Sequence, residues 1–164
     1  MNAIPDDAEL ALLVDELAAK LAGSGRRMTS AESCTGGWIA KCCTDRPGSS
    51  EWFERGFVTY SNAAKHDSLG VDNQVLQFGG AVSEAVVLQM AAGAVAHSAA
   101  DASLAVTGIA GPDGGSEDKP VGTVWFGWCV NDAVETECHV FPGGRDDVRR
   151  QTVAHALKGL IDRL

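Results

Sequence analysis

One stretch constrains the fold more than any other. Met28 to Ser33 reads as a β-strand, and at Cys34-Thr35-Gly36-Gly37 it breaks through a turn into a helix expected from Trp38 to Cys43. A strand that gives way to a helix across a short glycine turn commits the chain to helices laid on a sheet. At such a junction a side chain at the strand's end is held on rigid backbone, and the first N–H groups of the helix, which lack partners within it, point at whatever binds there. Ser33 occupies the last strand-like position, so its hydroxyl is expected to face those donors. A plainer reading stands beside this one: Ser and Thr ahead of a helix commonly cap it, and Gly-Gly commonly makes a tight turn.

The rest of the chain supplies the layers. Leu10, Leu13, Val14, Leu17 and Leu21 form a helical stripe that Gly23 and Gly25 end. After the loop Pro47–Ser50, Phe57 to Tyr60 reads as a second strand, and Asn62 to Leu69 as a short helix. Ser83-Glu84 opens a longer helix whose apolar face includes Val86, Val87, Met90, Ala91, Ala94 and Val95, with small residues suited to close packing on a sheet. Leu104 to Thr107 is nearly all apolar, as in a strand buried on both faces. The Gly- and Pro-rich run Gly108–Pro120 is too irregular for an element and long for a connection, and such loops often carry function. Val121–Val130 and Val134–Phe141, separated by Asn131-Asp132-Ala133, read as an antiparallel hairpin. A closing helix starts at Arg145, with Val153, Leu157, Leu160, Ile161 and Leu164 as its core stripe. The expected fold is a single α/β domain over residues 1–164, a three-layer α/β/α sandwich with a mixed, mainly parallel sheet and a C-terminal hairpin. At 164 residues and 45% hydrophobic content the chain can bury one substantial core.

Charge and cysteine usage narrow the function classes. A formal net charge of −9 would repel a phosphate backbone, so nonspecific nucleic-acid binding is not expected. A small anion needs only a few cations placed locally. No apolar run reaches the roughly 18 residues of a membrane span, and nothing at Met1 resembles a leader, so the expectation is a cytoplasmic protein without membrane contact. The five cysteines include no C-x-x-C pair and fit a reducing compartment. Neither they nor His66, His97, His139 and His155 show metal-ligand spacing, so no metal is expected. Cys34, beside Ser33, sits where a thiol's pKa can fall, yet it has no histidine partner in sequence and reads as a small buried filler.

Three strands end in polar or glycine-rich turns, at Ser33, Tyr60 and Thr107. If these strands are parallel neighbours, the rule that ligands bind beyond the carboxyl ends of strands brings the turns together. Ser33 would then lie near Tyr60 and Lys65. A serine hydroxyl is a poor nucleophile until a base takes its proton, and a desolvated lysine, directly or through a tyrosine, is such a base. The ordinary alternative makes Tyr60 a strand-end aromatic and Lys65 a solvated helix residue. Known patterns do not decide it: S-x-x-K fails at Gly36, G-x-S-x-G fails at Ala31 and Thr35, and neither a P-loop nor G-x-G-x-x-G is present.

Six blocks taken together do decide a family. Ala31–Gly37, Pro47–Ser50, Val58–Lys65, Gly80–Glu84, Val106–Pro112 and Lys119–Val124 resemble, in order and without large insertions, the CinA C-terminal domain family, from about Leu10 to the end. The closest likeness is to its stand-alone bacterial members, which are nicotinamide-nucleotide amidases. The resemblance implies an α/β/α sandwich, a homo-oligomer, no metal or organic cofactor, and hydrolysis of nicotinamide mononucleotide to nicotinate mononucleotide and ammonia. It places the family's serine, tyrosine and lysine on Ser33, Tyr60 and Lys65. Candidate substrate-binding positions are Cys34, Thr35, Gly36, Gly37, Asn62, Thr107, Gly108 and Arg145, with the backbone near Cys34–Gly36 facing an oxyanion and Arg145 and the Thr107-Gly108 backbone facing the phosphate. Cys42-Cys43 and His66 depart from the family pattern without touching this chemistry. Two other functions remain in view: a nucleotide-binding module without catalysis, and an amidase for another heterocyclic amide.

Overall fold

In the computed structural model, which describes residues 3–164, the expected elements occur in order around one five-stranded sheet, with one helix added. Any reading of the chain's start at Met1 lies outside the described residues. Helix α1 (Asp7–Ser24) opens with a capping box in which the Asp6 carboxylate accepts from the Glu9 N–H and the Glu9 carboxylate from the Asp6 N–H. Its stripe of Leu10, Val14, Leu17 and Leu21 is buried. Strand β1 (Met28–Glu32) follows, then α2 (Trp38–Asp45), β2 (Phe53–Val58), α3 (Asn62–Leu69), α4 (Asn73–Gly79), α5 (Glu84–Ala96), β3 (Ala102–Gly108), β4 (Thr123–Val130), β5 (Ala133–Val140) and α6 (Arg145–Arg163).

The strand order is β2-β1-β3-β4-β5, with β1 parallel to both neighbours and the last two pairings antiparallel. This is the mixed sheet that the sequence implied. Period-2 alternation divides β3 between two cores: Leu104 and Val106 pack with α1, α2 and α6, whereas Ala105 faces the layer of α3, α4 and α5. Phe126 and Trp128 of β4 stack on the first side, 5.7 Å apart. Glycines permit close approaches in the second layer. A Cβ added at Gly127 would meet the Val87 carbonyl at 2.9 Å, and one at Gly93 would sit 1.9 Å from the Leu69 carbonyl. Gly127 on β4 therefore sets how closely α5 lies on the sheet, and Gly93 on α5 how closely α3 lies on α5.

The structure moves several boundaries. The second strand ends at Val58 rather than Tyr60, because its pairing with β1 runs only from Phe53 to Val58. As a largely exposed edge strand it carries little alternation to read. Helix α4 was not anticipated; only Leu76 of it is buried, so it shows almost no apolar period. The hairpin turns on Asn131 and Asp132 alone, both at positive φ (54° and 62°), and Ala133 already belongs to β5. Among the described residues no helix is long and apolar enough to cross a membrane.

Candidate active site

Because β2, β1 and β3 are parallel neighbours, their carboxyl ends deliver Thr59-Tyr60, Ser33 and Thr107 to one edge of the sheet. The Lys65 side chain, carried on the second turn of α3, runs back beneath this edge. Its Nζ lies 2.9 Å from Ser33 Oγ, 2.8 Å from the Thr59 carbonyl oxygen and 3.4 Å from that of Tyr60. Ser33 is 8% exposed and Lys65 1%. A protonated amine donates all three bonds. A neutral amine donates two to the carbonyls and turns its lone pair to the Ser33 O–H, so the same arrangement holds a base against a hydroxyl.

Burial pulls the Lys65 pKa below the ordinary lysine value. Cys34 is the charge that would resist this, but burial pushes its thiol up to about 12, so it stays neutral at working pH. The same shift leaves Cys34 without the thiolate that a cysteine nucleophile requires.

Glu32 is the residue whose role the sequence left open. Fully buried, its carboxylate accepts from Thr35 Oγ1 (2.7 Å), the Ile39 N–H (2.9 Å) and the Ala40 N–H (3.0 Å). The N-cap residue of α2, Gly37, has no side chain to bond these donors, and Glu32 does so from the preceding strand. The expectation that Ser33 faces the first N–H groups of α2 is therefore corrected: an internal carboxylate occupies donors there, and Ser33 faces Lys65. Replacing Glu32 by Ala strands these N–H groups in the interior, and a loss of about 2 to 4 kcal/mol in urea-unfolding stability is expected, with Glu32→Gln recovering part of it.

The turn after Ser33 is fixed by a residue distant in sequence. Arg149 Nε donates to the Cys34 carbonyl and Nη2 to that of Thr35, both at 3.0 Å. Gly36 and Gly37 adopt positive φ (59° and 98°), a conformation that only glycine enters freely. With both carbonyls held by Arg149, the N–H groups of Cys34 and Thr35 donate to no backbone acceptor among the described residues. Nothing in the sequence reading singles out Arg149, though it follows Arg145 by one helical turn and so shares its face of α6.

A cavity of about 290 Å³ opens over Ser33, walled by Cys34, Tyr60, Lys65, Thr107, Gly108 and Arg145 among others, and by the loop Ile109–Gly114. Of the expected binding positions, Cys34, Thr107, Gly108 and Arg145 meet here. Thr35, Gly36 and Gly37 do not: they border a separate cleft of about 590 Å³ between α1, α2 and α6, because the turn carries them past the serine. Asn62 is exposed at the start of α3 and also lies outside the Ser33 cavity. The Thr107 hydroxyl is committed to the Ala81 carbonyl at 2.8 Å. Tyr60 is 63% exposed, and its phenol accepts from Arg145 Nη2 at 3.1 Å rather than meeting Lys65. Arg145 Nη1 donates to the Gly111 carbonyl at 2.7 Å, so this residue ties the Pro-rich loop to Tyr60 across the cavity. The larger cleft includes no hydroxyl paired with a lysine; chemistry, rather than volume, singles out the smaller one.

One exclusion also needs correcting. His139 and His155, too far apart in sequence to suggest a ligand set, converge with Glu137 at the β5–α6 contact, where donor atoms of all three lie within 4.8 Å of one another.

Fold and site together define a class: an α/β/α protein with a buried serine–lysine pair at the carboxyl ends of its parallel strands. The profile of the CinA C-terminal domain family matches residues 11–164, and the chain belongs to that family. It is 53% identical over 157 residues to the nicotinamide-nucleotide amidohydrolase PncC of Escherichia coli strain K12, covering 94% of each chain. Identity with the protein of the same name from Pseudomonas putida is 55% over 135 residues, 82% of this chain and 84% of that one. Among solved structures, a competence-damaged protein (CinA) superfamily protein from Escherichia coli superposes with a TM-score of 0.92 at 36% identity, covering 100% of this chain and 99% of the other. The competence/damage inducible protein CihA from Agrobacterium tumefaciens gives a TM-score of 0.91 at 43% identity, with 99% and 98% covered.

Proposed function

We propose that the chain hydrolyses the carboxamide of nicotinamide mononucleotide to nicotinate mononucleotide and ammonia, through an acyl-enzyme on Ser33. The observation that carries this reading is the 2.9 Å contact of buried Lys65 Nζ with Ser33 Oγ. It is supported by the 53% identity, along 94% of the chain, to an amidohydrolase of that name. Neutral Lys65 accepts the Ser33 proton as Oγ bonds to the carboxamide carbon. The N–H group of Cys34, whose carbonyl Arg149 holds in place, is the donor proposed for the resulting oxyanion. The C–N bond then breaks, and the Lys65 ammonium returns its proton to the departing nitrogen. Water attacks the ester with Lys65 again as base, which releases the carboxylate and restores Ser33. The phenol of Tyr60 enters as a positioning group paired with Arg145, since it does not lie between the serine and the lysine. Neither metal nor cofactor has a part in these steps. The direct test is ammonia release from nicotinamide mononucleotide by purified protein; binding without release would instead make this a nucleotide-binding module. The family resemblance further implies a cytoplasmic homo-oligomer, which light scattering on the eluted protein checks for assembly.

Arg145 is the cation proposed for the substrate phosphate. Charge-assisted hydrogen bonds are worth roughly 1.5 to 3 kcal/mol. Nicotinamide riboside, which lacks the phosphate, is therefore expected to show kcat/KM lower by about 10- to 100-fold per bond lost. Arg145→Ala should bring the two substrates closer together. Equal efficiency on both in the unaltered protein would remove Arg145 from this role.

A further inference from the structure

The cluster at the β5–α6 contact has no part in the reaction just described. Glu137 and His139 stand on one face of β5, two residues apart, and His155 reaches the same point from the middle of α6, about three turns in. His155 Nε2 lies 3.0 Å and His139 Nε2 3.3 Å from a single atom, Glu137 Oε2. Ligand atoms held at zinc distances around a tetrahedral ion are about 3.4 Å apart. Two of the three edges of such a site are therefore already set. The other carboxylate oxygen, Oε1, accepts from Arg163 Nη2 at 2.9 Å, which fixes the plane of the carboxylate and leaves Oε2 to the imidazoles. Arg163 does not repel a cation unopposed, because its Nε is paired with Glu135 at 2.9 Å, so two carboxylates face one guanidinium. Phe126 packs against the His155 ring at 4.5 Å and Phe141 stacks on His139 at 5.8 Å, holding both rings in place. All three ligand residues are only partly buried, so an ion can enter from solvent.

We propose that Glu137, His139 and His155 bind one divalent transition-metal ion, zinc before others, and thereby pin the C-terminal helix to the hairpin. Two imidazoles and a carboxylate suit zinc, nickel and copper rather than magnesium or calcium, and the remaining position goes to water.

The test uses the full chain, stripped of metal and dialysed against Zn²⁺ at neutral pH. One equivalent per chain and a raised Tm are expected. Co²⁺ should give visible d–d bands without a thiolate charge-transfer band, which separates this site from adventitious binding at Cys138, whose side chain points to the opposite face of β5. His139→Ala and Glu137→Gln should each weaken zinc binding by at least about 100-fold and lose most of the zinc-induced rise in Tm, measured against the same variant in chelator. Chelator should leave ammonia release from nicotinamide mononucleotide unchanged. Binding well below one equivalent, a thiolate band, or full-strength binding in His139→Ala would each overturn the site, and so would a Tm that ignores the metal.

Discussion

Ser33→Ala is expected to lower amide hydrolysis by on the order of 10⁴-fold or more, leaving nicotinamide mononucleotide binding measurable by calorimetry. The reason is local. Ser33 Oγ is the hydroxyl in contact with the one buried amine of the cavity, and the neighbouring thiol of Cys34 is held protonated by burial, so it cannot take over the attack. The fold should tolerate the change: an alanine side chain fits the space, and the partner it deserts, Lys65, keeps the Thr59 carbonyl. Mass spectrometry of the unaltered protein quenched during turnover should find the nicotinate mononucleotide acyl group, ribose phosphate included, on the peptide containing Ser33. Near-normal turnover by Ser33→Ala, in a preparation free of host amidase, would rule out the acyl-enzyme and point to water activated directly by Lys65.

Lys65→Met should cost about 10² to 10⁴-fold in kcat, the usual range for loss of a positioned acid–base. The double variant with Ser33→Ala should be little worse than either single one, since groups that act as a unit are not additive. Lys65 also sets the pH dependence. The base is the neutral amine, so kcat/KM should rise with pH through the lysine's folded pKa and then level off, and burial puts that inflection below the ordinary value of about 10.4. The sign for stability runs the same way. Between the depressed folded pKa and the unfolded one, the unfolded chain binds the extra proton, so Lys65 contributes stability that increases as pH rises through that window. Lys65→Met removes both the rate inflection and this slope. An activity profile with the same alkaline-side inflection in Lys65→Met would assign the base elsewhere.

Much of this was legible one residue at a time. Apolar spacing located α1, α5 and α6, because helices with one buried face repeat that face every three to four residues. The strand–turn–helix around Ser33 and the apolar run of β3 announced a layered sheet, and six short blocks carried the family. Ser33, Lys65, Tyr60 and Arg145 are all legible in the sequence, since each is a reactive or charged residue at the end of a strand or the start of a helix.

What sequence alone could not decide was which of these groups touch. That Lys65 meets Ser33 while the Tyr60 phenol turns to Arg145 depends on side-chain direction and on where β2 ends, and an exposed edge strand writes no clear period. Glu32 reads like any acidic residue until the chain folds and sets its carboxylate under the uncapped start of α2. Arg149 reaches carbonyls 114 and 115 residues away, the Glu137–His139–His155 cluster joins a strand to a separate helix, and no local spacing encodes such meetings. Local propensity and periodicity act over a few residues, so the sequence by itself determined the elements and the chemistry they carry; contacts between elements arise only when packing brings distant segments together, and the tertiary structure alone decided them.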